Sequence, residues 1–128
     1  MIKKLKNLTK VIFYDNISFM SWEVVFYDEK VEAETLALPS KILAKMLHIF
    51  ELIKVAGANL GEPYTKSLGD GLFEVRAKAK EGIGRSMYCY QKGKKIVILH
   101  SFVKKTQKTS KRDLELALKR KKELEDER

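Results

Sequence analysis

The sequence predicts a small α+β fold in which helices pack on one face of a curved antiparallel β-sheet. Apolar residues recur at helical spacing between residues 40 and 57, and three strand patterns follow at hairpin distance between residues 72 and 103. A charged C-terminal stretch again carries apolar residues at helical spacing. A chain of 128 residues can build one hydrophobic core but not two, so we expect a single domain over residues 1–128.

The first half of the chain is predicted to contain one strand and two helices. Trp22 to Tyr27 is rich in aromatic and β-branched residues, which favour a strand. A helix is expected to begin after Pro39 and to end at Gly57, because these residue types are typical of helix starts and stops. A shorter helix is expected between Asp28 and Leu38, and residues 59–63 have the composition of a loop.

Three strands and a helix are predicted for the second half. The strands are Leu72 to Lys78, Ile83 to Gln91 and Lys94 to Val103. The third is apolar on both faces, which is typical of a central, covered strand. The spacing of Ser110 and Asp113 predicts the hydrogen-bonded start of a C-terminal helix.

The first twenty residues stand apart, because everything from Ser21 onward has the pattern of a complete domain. Either Met20 is the true start, with the domain spanning residues 20–128, or residues 1–19 form an appended N-terminal arm.

Composition disfavours several classes of protein. With 45% hydrophobic and 34% charged residues, the chain has the balance of a soluble globular protein. No apolar run approaches the roughly 20 residues of a membrane helix, so we expect no membrane partner. The single Cys89 cannot form an intramolecular disulfide, which favours the cytoplasm. Two widely spaced histidines and one cysteine predict no metal site, and we expect no cofactor.

The net charge of +9 is concentrated in the second half of the chain. Residues 22–63 carry four Lys or Arg against seven Asp or Glu, whereas residues 64–112 carry thirteen against three. Within that excess, residues 102–110 place three lysines directly after an apolar strand. Such a run is often only a solvated loop. A concentrated excess nevertheless predicts a polyanionic partner; nucleic acid is the commonest, and membrane surfaces or acidic proteins also fit.

Two arginines are expected to face each other across the first hairpin. If Ala79 to Gly82 form a simple turn, Arg76 and Arg85 lie directly opposite on one face. Like charges in that position destabilise a sheet by up to about 1 kcal/mol, so we expect them to hold something anionic. The alternative is that Glu74 neutralises Arg76 and that both arginines are ordinary surface residues.

The next hairpin is expected to bring a histidine to the same place. A two-residue turn at Lys92 and Gly93 would put His100 opposite Arg85, although a slip of one residue would move it to the other face. A lone histidine in an apolar strand, such as His100, is also typical of a hydrogen-bonded structural residue. Phe102 could stack on a base, but a strand aromatic of this kind is more typical of the core.

These residues resemble the RelE/HigB superfamily of toxins, and most closely its phage-derived HigB-like branch. The resemblance covers roughly Trp22 to the C-terminus. It is carried by the stretch from Gly71 to Arg76, by Arg85, by the stretch from Leu99 to Thr109, whose FVKKTQKT segment is the most specific part, and by the helix that contains Ala117. It implies a RelE-like fold and a type II toxin–antitoxin pair, in which the toxin cleaves mRNA in the ribosomal A site and a helix-turn-helix antitoxin neutralises it.

The resemblance also implies roles for particular residues. Arg76 stands where the family has a basic residue on the first hairpin strand, and Arg85, expected to face solvent, matches an arginine taken to stabilise transition-state charge. Lys104 and Lys105 match a basic pair after the last strand, so these four are the predicted catalytic residues. The residues predicted to bind RNA are Lys66, Lys78, His100, Phe102, Lys108, Thr109 and Lys111. Relatives use a tyrosine or histidine near the C-terminus on the ribose 2′-hydroxyl; residues 108–112 contain neither, which leaves the general base open.

The leading interpretation is a monomeric, ribosome-dependent endoribonuclease toxin whose partners are mRNA, the ribosome and the antitoxin. Two alternatives stay open: a ParE-like toxin without nuclease activity that acts on DNA gyrase, and a basic nucleic-acid-binding regulator. Clustered cations favour the nuclease, and the scarcity of aromatics outside core patterns disfavours a pure binding module.

Overall fold

Over the residues that it describes, the computed structural model shows a mixed β-sheet with two helices on one face and a third helix on the other. The structure describes residues 3–4, 21–57, 60–104 and 110–127. In chain order the elements are β1 (Lys3–Lys4), β2 (Glu23–Phe26), α1 (Glu29–Leu36), α2 (Ser40–Ala56), β3 (Thr65–Gly69), β4 (Leu72–Ala79), β5 (Gly82–Gln91), β6 (Lys95–Lys104) and α3 (Lys111–Asp126). The predicted α+β class, with its C-terminal helix, is confirmed.

The strands are ordered β1-β2-β6-β5-β4-β3 across the sheet. β2 runs parallel to β6, and all other neighbouring pairs are antiparallel. The sheet is therefore mixed rather than wholly antiparallel, because the helical connection after β2 and the later hairpins bring β6 back alongside it in the same direction. β6 lies between β2 and β5, as its two apolar faces predict.

Each face of the sheet has its own apolar cluster. Helices α1 and α2 cover one face, where Ile42, Met46 and Phe50 pack on β-strand residues such as Ile98. Helix α3 covers the opposite face with residues that include Ala117 and Leu124. α2 approaches β5 closely at Gly84, where a Cβ atom would lie only 2.2 Å from Ile42 Cγ2. At one end of the sheet face that α3 covers, polar side chains take the place of the apolar cluster.

The helix ends follow the sequence signals. Asp28 caps α1 by accepting a hydrogen bond from the Val31 amide at 2.9 Å. α2 begins after Pro39 and ends at Gly57, whose φ of 57° lies in the left-handed region that favours glycine. At the start of α3, Ser110 Oγ accepts a hydrogen bond from the Asp113 amide at 3.2 Å, as the predicted capping pattern requires.

Two features differ from the sequence analysis or lie beyond it. β3 was not anticipated, because an edge strand of mostly exposed, polar residues has no apolar alternation to reveal it. The question of whether Met20 starts the domain falls on residues outside those that the structure describes, apart from Lys3–Lys4, which pair with β2. It stays a prediction.

Candidate functional site

Most of the predicted site residues lie in three adjoining rows across β3, β4, β5 and β6. The rows are Arg76, Arg85 and Phe102; Lys78, Ile83 and Lys104; and Lys66, Glu74, Met87 and His100. Residues directly opposite on neighbouring strands share a face. That face is the one that α3 covers further along, since Met87 packs in the cluster beneath α3. The prediction that Arg76 and Arg85 oppose each other is confirmed.

A buried carboxylate lies between the two arginines. Glu74 Oε1 accepts hydrogen bonds from Arg76 Nε at 2.8 Å and from Arg85 Nη1 at 3.1 Å, and this Nη1 is 3.3 Å from Glu74 Oε2. Glu74 and Arg85 are both 0% exposed. The Arg76 side chain is 23% exposed. The anion expected between the arginines is therefore, in the free protein, a residue of the chain itself.

The expectation that Arg85 faces solvent is wrong. β5 is an interior strand, so the side chains of Glu74 and Phe102 on its neighbours flank this guanidinium, and the ion pair with Glu74 offsets the loss of hydration. A guanidinium with no exposed surface has no face to offer a phosphate. Arg76, on the outer side of the same carboxylate, keeps part of its surface.

His100 lies between two carboxylates rather than facing solvent. Its Nε2 is 2.8 Å from Asp113 Oδ1, and its Nδ1 is 3.7 Å from Glu34 Oε1. His100 is 8% exposed, and its ring stacks on that of Phe102, with centroids 4.8 Å apart and planes at 25°. The contact with Asp113 matches the structural, hydrogen-bonded histidine that the sequence analysis kept as an alternative, and it ties β6 to α3.

The predicted position of His100 opposite Arg85 is wrong, because His100 pairs with Met87 and Phe102 takes the place opposite Arg85. Two added residues cause the difference. Gln91 pairs with Lys95, which makes a three-residue loop, and a bulge places one extra residue, Leu99, in β6. Because each addition reverses the side-chain alternation once, His100 still faces the same side as Arg85.

The side chain of Lys104, the last residue of β6, is held by an acidic residue at the start of α3. Its Nζ lies 3.3 Å from Asp113 Oδ2, which also accepts a hydrogen bond from Ser110 Oγ. Burial by itself would raise the pKa of Asp113, but the hydrogen bonds from Ser110, His100 and Lys104 outweigh it and lower that pKa. Asp113 is therefore ionised at neutral pH, and it holds a 29% exposed ammonium beside the Phe102 ring.

The other predicted residues are only partly assembled. Lys66, Lys78 and Lys111 are exposed, on β3, on β4 and at the start of α3. Phe102 is half-buried against the cluster beneath α3, so it serves the core as well as His100. Lys105, Lys108 and Thr109 lie outside the described residues, and their roles stay predictions.

A cleft of about 280 Å³ opens beside Arg76, where β3 no longer pairs with β4. Its lining comprises Lys45, Glu62, Pro63, Tyr64, Arg76, Lys78 and Ile83. Lys45 reaches from α2 and donates a hydrogen bond to the Lys78 carbonyl at 3.1 Å. The Arg76 amide donates to the Tyr64 carbonyl at 2.9 Å, which holds the loop before β3 against the strand edge. Three cationic side chains and one carboxylate therefore line the cleft at the open edge of the sheet.

Sequence reasoning missed the acids and the cleft. Glu74 and Asp113 were noted only as a surface neutraliser and a capping residue, and Glu34, Lys45 and Tyr64 were not singled out. The useful signal for Glu74 was an acid placed two residues before an arginine that opposes a second arginine. Nothing local marks Lys45 or Glu34, because each meets its partners only through tertiary packing.

Within the described parts of the chain, no group of three or more His, Cys, Asp or Glu side chains is arranged to hold a metal ion. None of the helices described is long and apolar enough to cross a membrane.

Comparison with protein families gives a match over most of the chain. The family model described as "Phage derived protein Gp49-like (DUF891)" matches residues 33–122. The matched segment runs from α1 into α3, and it contains the Glu74 cluster, the cleft and Lys104. No curated protein sequence matches the chain.

Proposed function

Because the chain belongs to the Gp49-like family of phage-derived proteins, which is associated with RelE-like toxins of toxin–antitoxin systems, we propose that it is a toxin that cleaves mRNA on the ribosome. The observation that carries the proposal is the set of partly or fully exposed cations, Arg76, Lys78 and Lys104, on one sheet face around the buried Glu74–Arg85 pair. Such a face suits a phosphodiester, whose charge develops as it is cleaved.

In the proposed reaction the RNA supplies its own nucleophile. The ribose 2′-oxygen forms a bond to phosphorus and its proton passes to a base, while the bond from phosphorus to the 5′-oxygen breaks and that oxygen takes up a proton. The products are a 2′,3′-cyclic phosphate and a 5′-hydroxyl. The protein's part is to hold the two oxygens in line and to stabilise the dianionic pentacovalent phosphate between them.

We assign direct phosphate contacts to Arg76 and Lys104, with Lys105 as a further cation of the same set. Glu74 engages Arg76 through Nε, so the terminal nitrogens of its planar fork are the ones assigned to phosphate oxygens. Arg85 is assigned to positioning, because it is fully buried and acts on Arg76 through Glu74. Lys66, Lys108, Thr109 and Lys111 are assigned to the RNA backbone.

Proton transfer is the weakest part of this constellation. His100 is engaged by Asp113 on Nε2 and faces Glu34 on Nδ1, so we give it no proton to move. Asp113, with its lowered pKa, is a poor proton acceptor. The proposal therefore makes cleavage depend on the ribosome to orient the 2′-hydroxyl. It also implies the cytoplasm as the place of action and a helix-turn-helix antitoxin as the neutralising partner.

Inducing the chain in bacteria and mapping transcripts by primer extension tests the proposal. Growth should stop and translated messages should acquire new 5′ ends. Arg76→Ala should reduce cleavage by about 100- to 1,000-fold, the usual loss for one transition-state donor. Lys92→Ala removes the same charge from the loop between β5 and β6, at the other end of β6 from Lys104, and this variant should cleave like the unsubstituted chain. Arrested growth with intact messages would contradict the nuclease and favour a toxin that acts on gyrase.

A further inference from the structure

The cleft at the open edge of β4 brings together groups from α2, the loop before β3, β4 and β5. Arg76 belongs both to the cleft and to the rows of the proposed active site, whereas Lys45 comes from α2 and Tyr64 from the loop before β3. Neither of these two elements supplies a residue to the proposed phosphate contacts. The cleft therefore extends the cationic surface sideways, away from Lys104.

The charge in the cleft suits a phosphate group. The cleft is lined by Lys45, Arg76 and Lys78 and by one carboxylate, that of Glu62. Glu74, which also binds Arg76, is balanced by the buried Arg85, so an excess of two positive charges remains. A phosphomonoester carries about −1.5 to −2 near neutral pH. Lys45 gives one of its three ammonium donors to the Lys78 carbonyl, which orients the group at the strand edge and leaves two donors for a ligand.

The remaining walls suit a ribose or a base. Pro63, Tyr64 and Ile83 supply apolar surface, and Tyr64 is half-exposed. Stacking of a base on an aromatic ring tolerates any sequence, because every base has a π-face. A volume of about 280 Å³ is at the small end of ligand sites, which suits one unpaired nucleotide and excludes a duplex.

We propose that this cleft binds a single unpaired ribonucleotide next to the cleaved linkage, with its phosphate between Lys45 and Lys78 and its ribose or base against Tyr64. This inference rests on the proposed ribonuclease function and adds a second contact with the same RNA strand. Lys45 is then a substrate-binding residue on a helix that otherwise serves the core.

Titration of the ¹⁵N-labelled full chain with adenosine 5′-monophosphate, followed by NMR, tests the cleft directly. Backbone amides of Tyr64, Arg76 and Lys78 should shift and saturate. Lys45→Ala should weaken binding by about five- to tenfold, since it removes a charged donor from a partly exposed site. Lys41→Ala, the same change one turn earlier on the exposed side of α2, should leave the affinity unchanged. Because Lys45 is exposed and alanine favours helices, both variants should fold.

Several outcomes would overturn the proposal. These are absent shifts, equal loss in the two variants, or inorganic phosphate binding as tightly as the mononucleotide. Shifts at these amides with an acidic antitoxin but not with the nucleotide would make the cleft a protein contact instead. A mononucleotide has no linkage to cleave, so the result is independent of nuclease activity. Cleavage of mRNA without nucleotide binding would refute only the cleft, and binding without cleavage would refute only the nuclease.

Discussion

Replacing Glu74 by Gln should destabilise the fold far more than a typical strand substitution. The change keeps the shape of the side chain but removes its charge, so the buried guanidinium of Arg85 loses its ion pair with the Glu74 carboxylate. Removing one partner of a buried ion pair costs about 3 to 5 kcal/mol. Domains of this kind are stable by about 5 to 15 kcal/mol in total, so the variant should fold but lose a large part of its stability.

Because Glu74 and Arg85 form one ion pair, the losses of stability in their single variants should not simply add in the double variant. Arg85→Met alone should also destabilise, because it removes a partner of the buried carboxylate. The double variant Glu74→Gln/Arg85→Met buries no charge at either position, so it should lose clearly less than the sum of the single losses, by about 1.5 kcal/mol or more. Arg76, which is partly exposed, can turn to solvent in that background.

Urea unfolding followed by circular dichroism measures these differences. Glu115→Gln is the matched control, since Glu115 is exposed on α3 and this variant should unfold at the same urea concentration as the unsubstituted chain. A Glu74→Gln midpoint equal to that of Glu115→Gln, or strictly additive losses in the double variant, would refute the ion cluster as a structural element.

Three further predictions concern other parts of the fold. Asp113→Asn should reduce stability at neutral pH, and in urea unfolding the difference from the unsubstituted chain should begin to shrink as the pH falls towards about 4 and vanish only below the lowered pKa of the folded state, because a carboxyl whose pKa folding lowers stabilises only while ionised; a pH-independent difference would be contrary to this account. The pKa of Tyr27 is raised to about 12, chiefly by the hydrogen bond to Glu123 and then by burial, so an ultraviolet titration should show a tyrosine that ionises near pH 12 and that is missing from Tyr27→Phe; loss instead of a tyrosine that ionises near pH 10 would argue against that bond. Gly84→Ala should cost about 1 to 3 kcal/mol in urea unfolding, because its Cβ would collide with Ile42, and a neutral result would mean that α2 can shift freely.

The sequence predicted the parts of the fold that local patterns govern. α2 has an apolar stripe with a proline at its start and a glycine at its end, and α3 has a serine–aspartate cap, so both helices could be placed from these signals. The pairing of Arg76 with Arg85 followed from a two-residue turn, which fixes the register of a hairpin.

The register of His100 shows where such reasoning fails. A three-residue loop and a bulge at Leu99 each add a residue that no local signal reveals. Together the two added residues leave His100 on the predicted face of the sheet. They change its partner on the neighbouring strand, however, so it lies opposite a different residue. The burial of Arg85 was hidden for a related reason, because an acid and an arginine on adjacent strands resemble a solvated face until their neighbours are known.

The measurement that tests the central claim most directly compares one mRNA in two states with the purified chain: free in solution, and on translating ribosomes. The account predicts efficient cleavage of the ribosome-bound message, feeble cleavage of the free message, and loss of both in Arg76→Ala but not in Lys92→Ala. An intact message on the ribosome, or fast and salt-insensitive cleavage of free RNA by the chain alone, would contradict it.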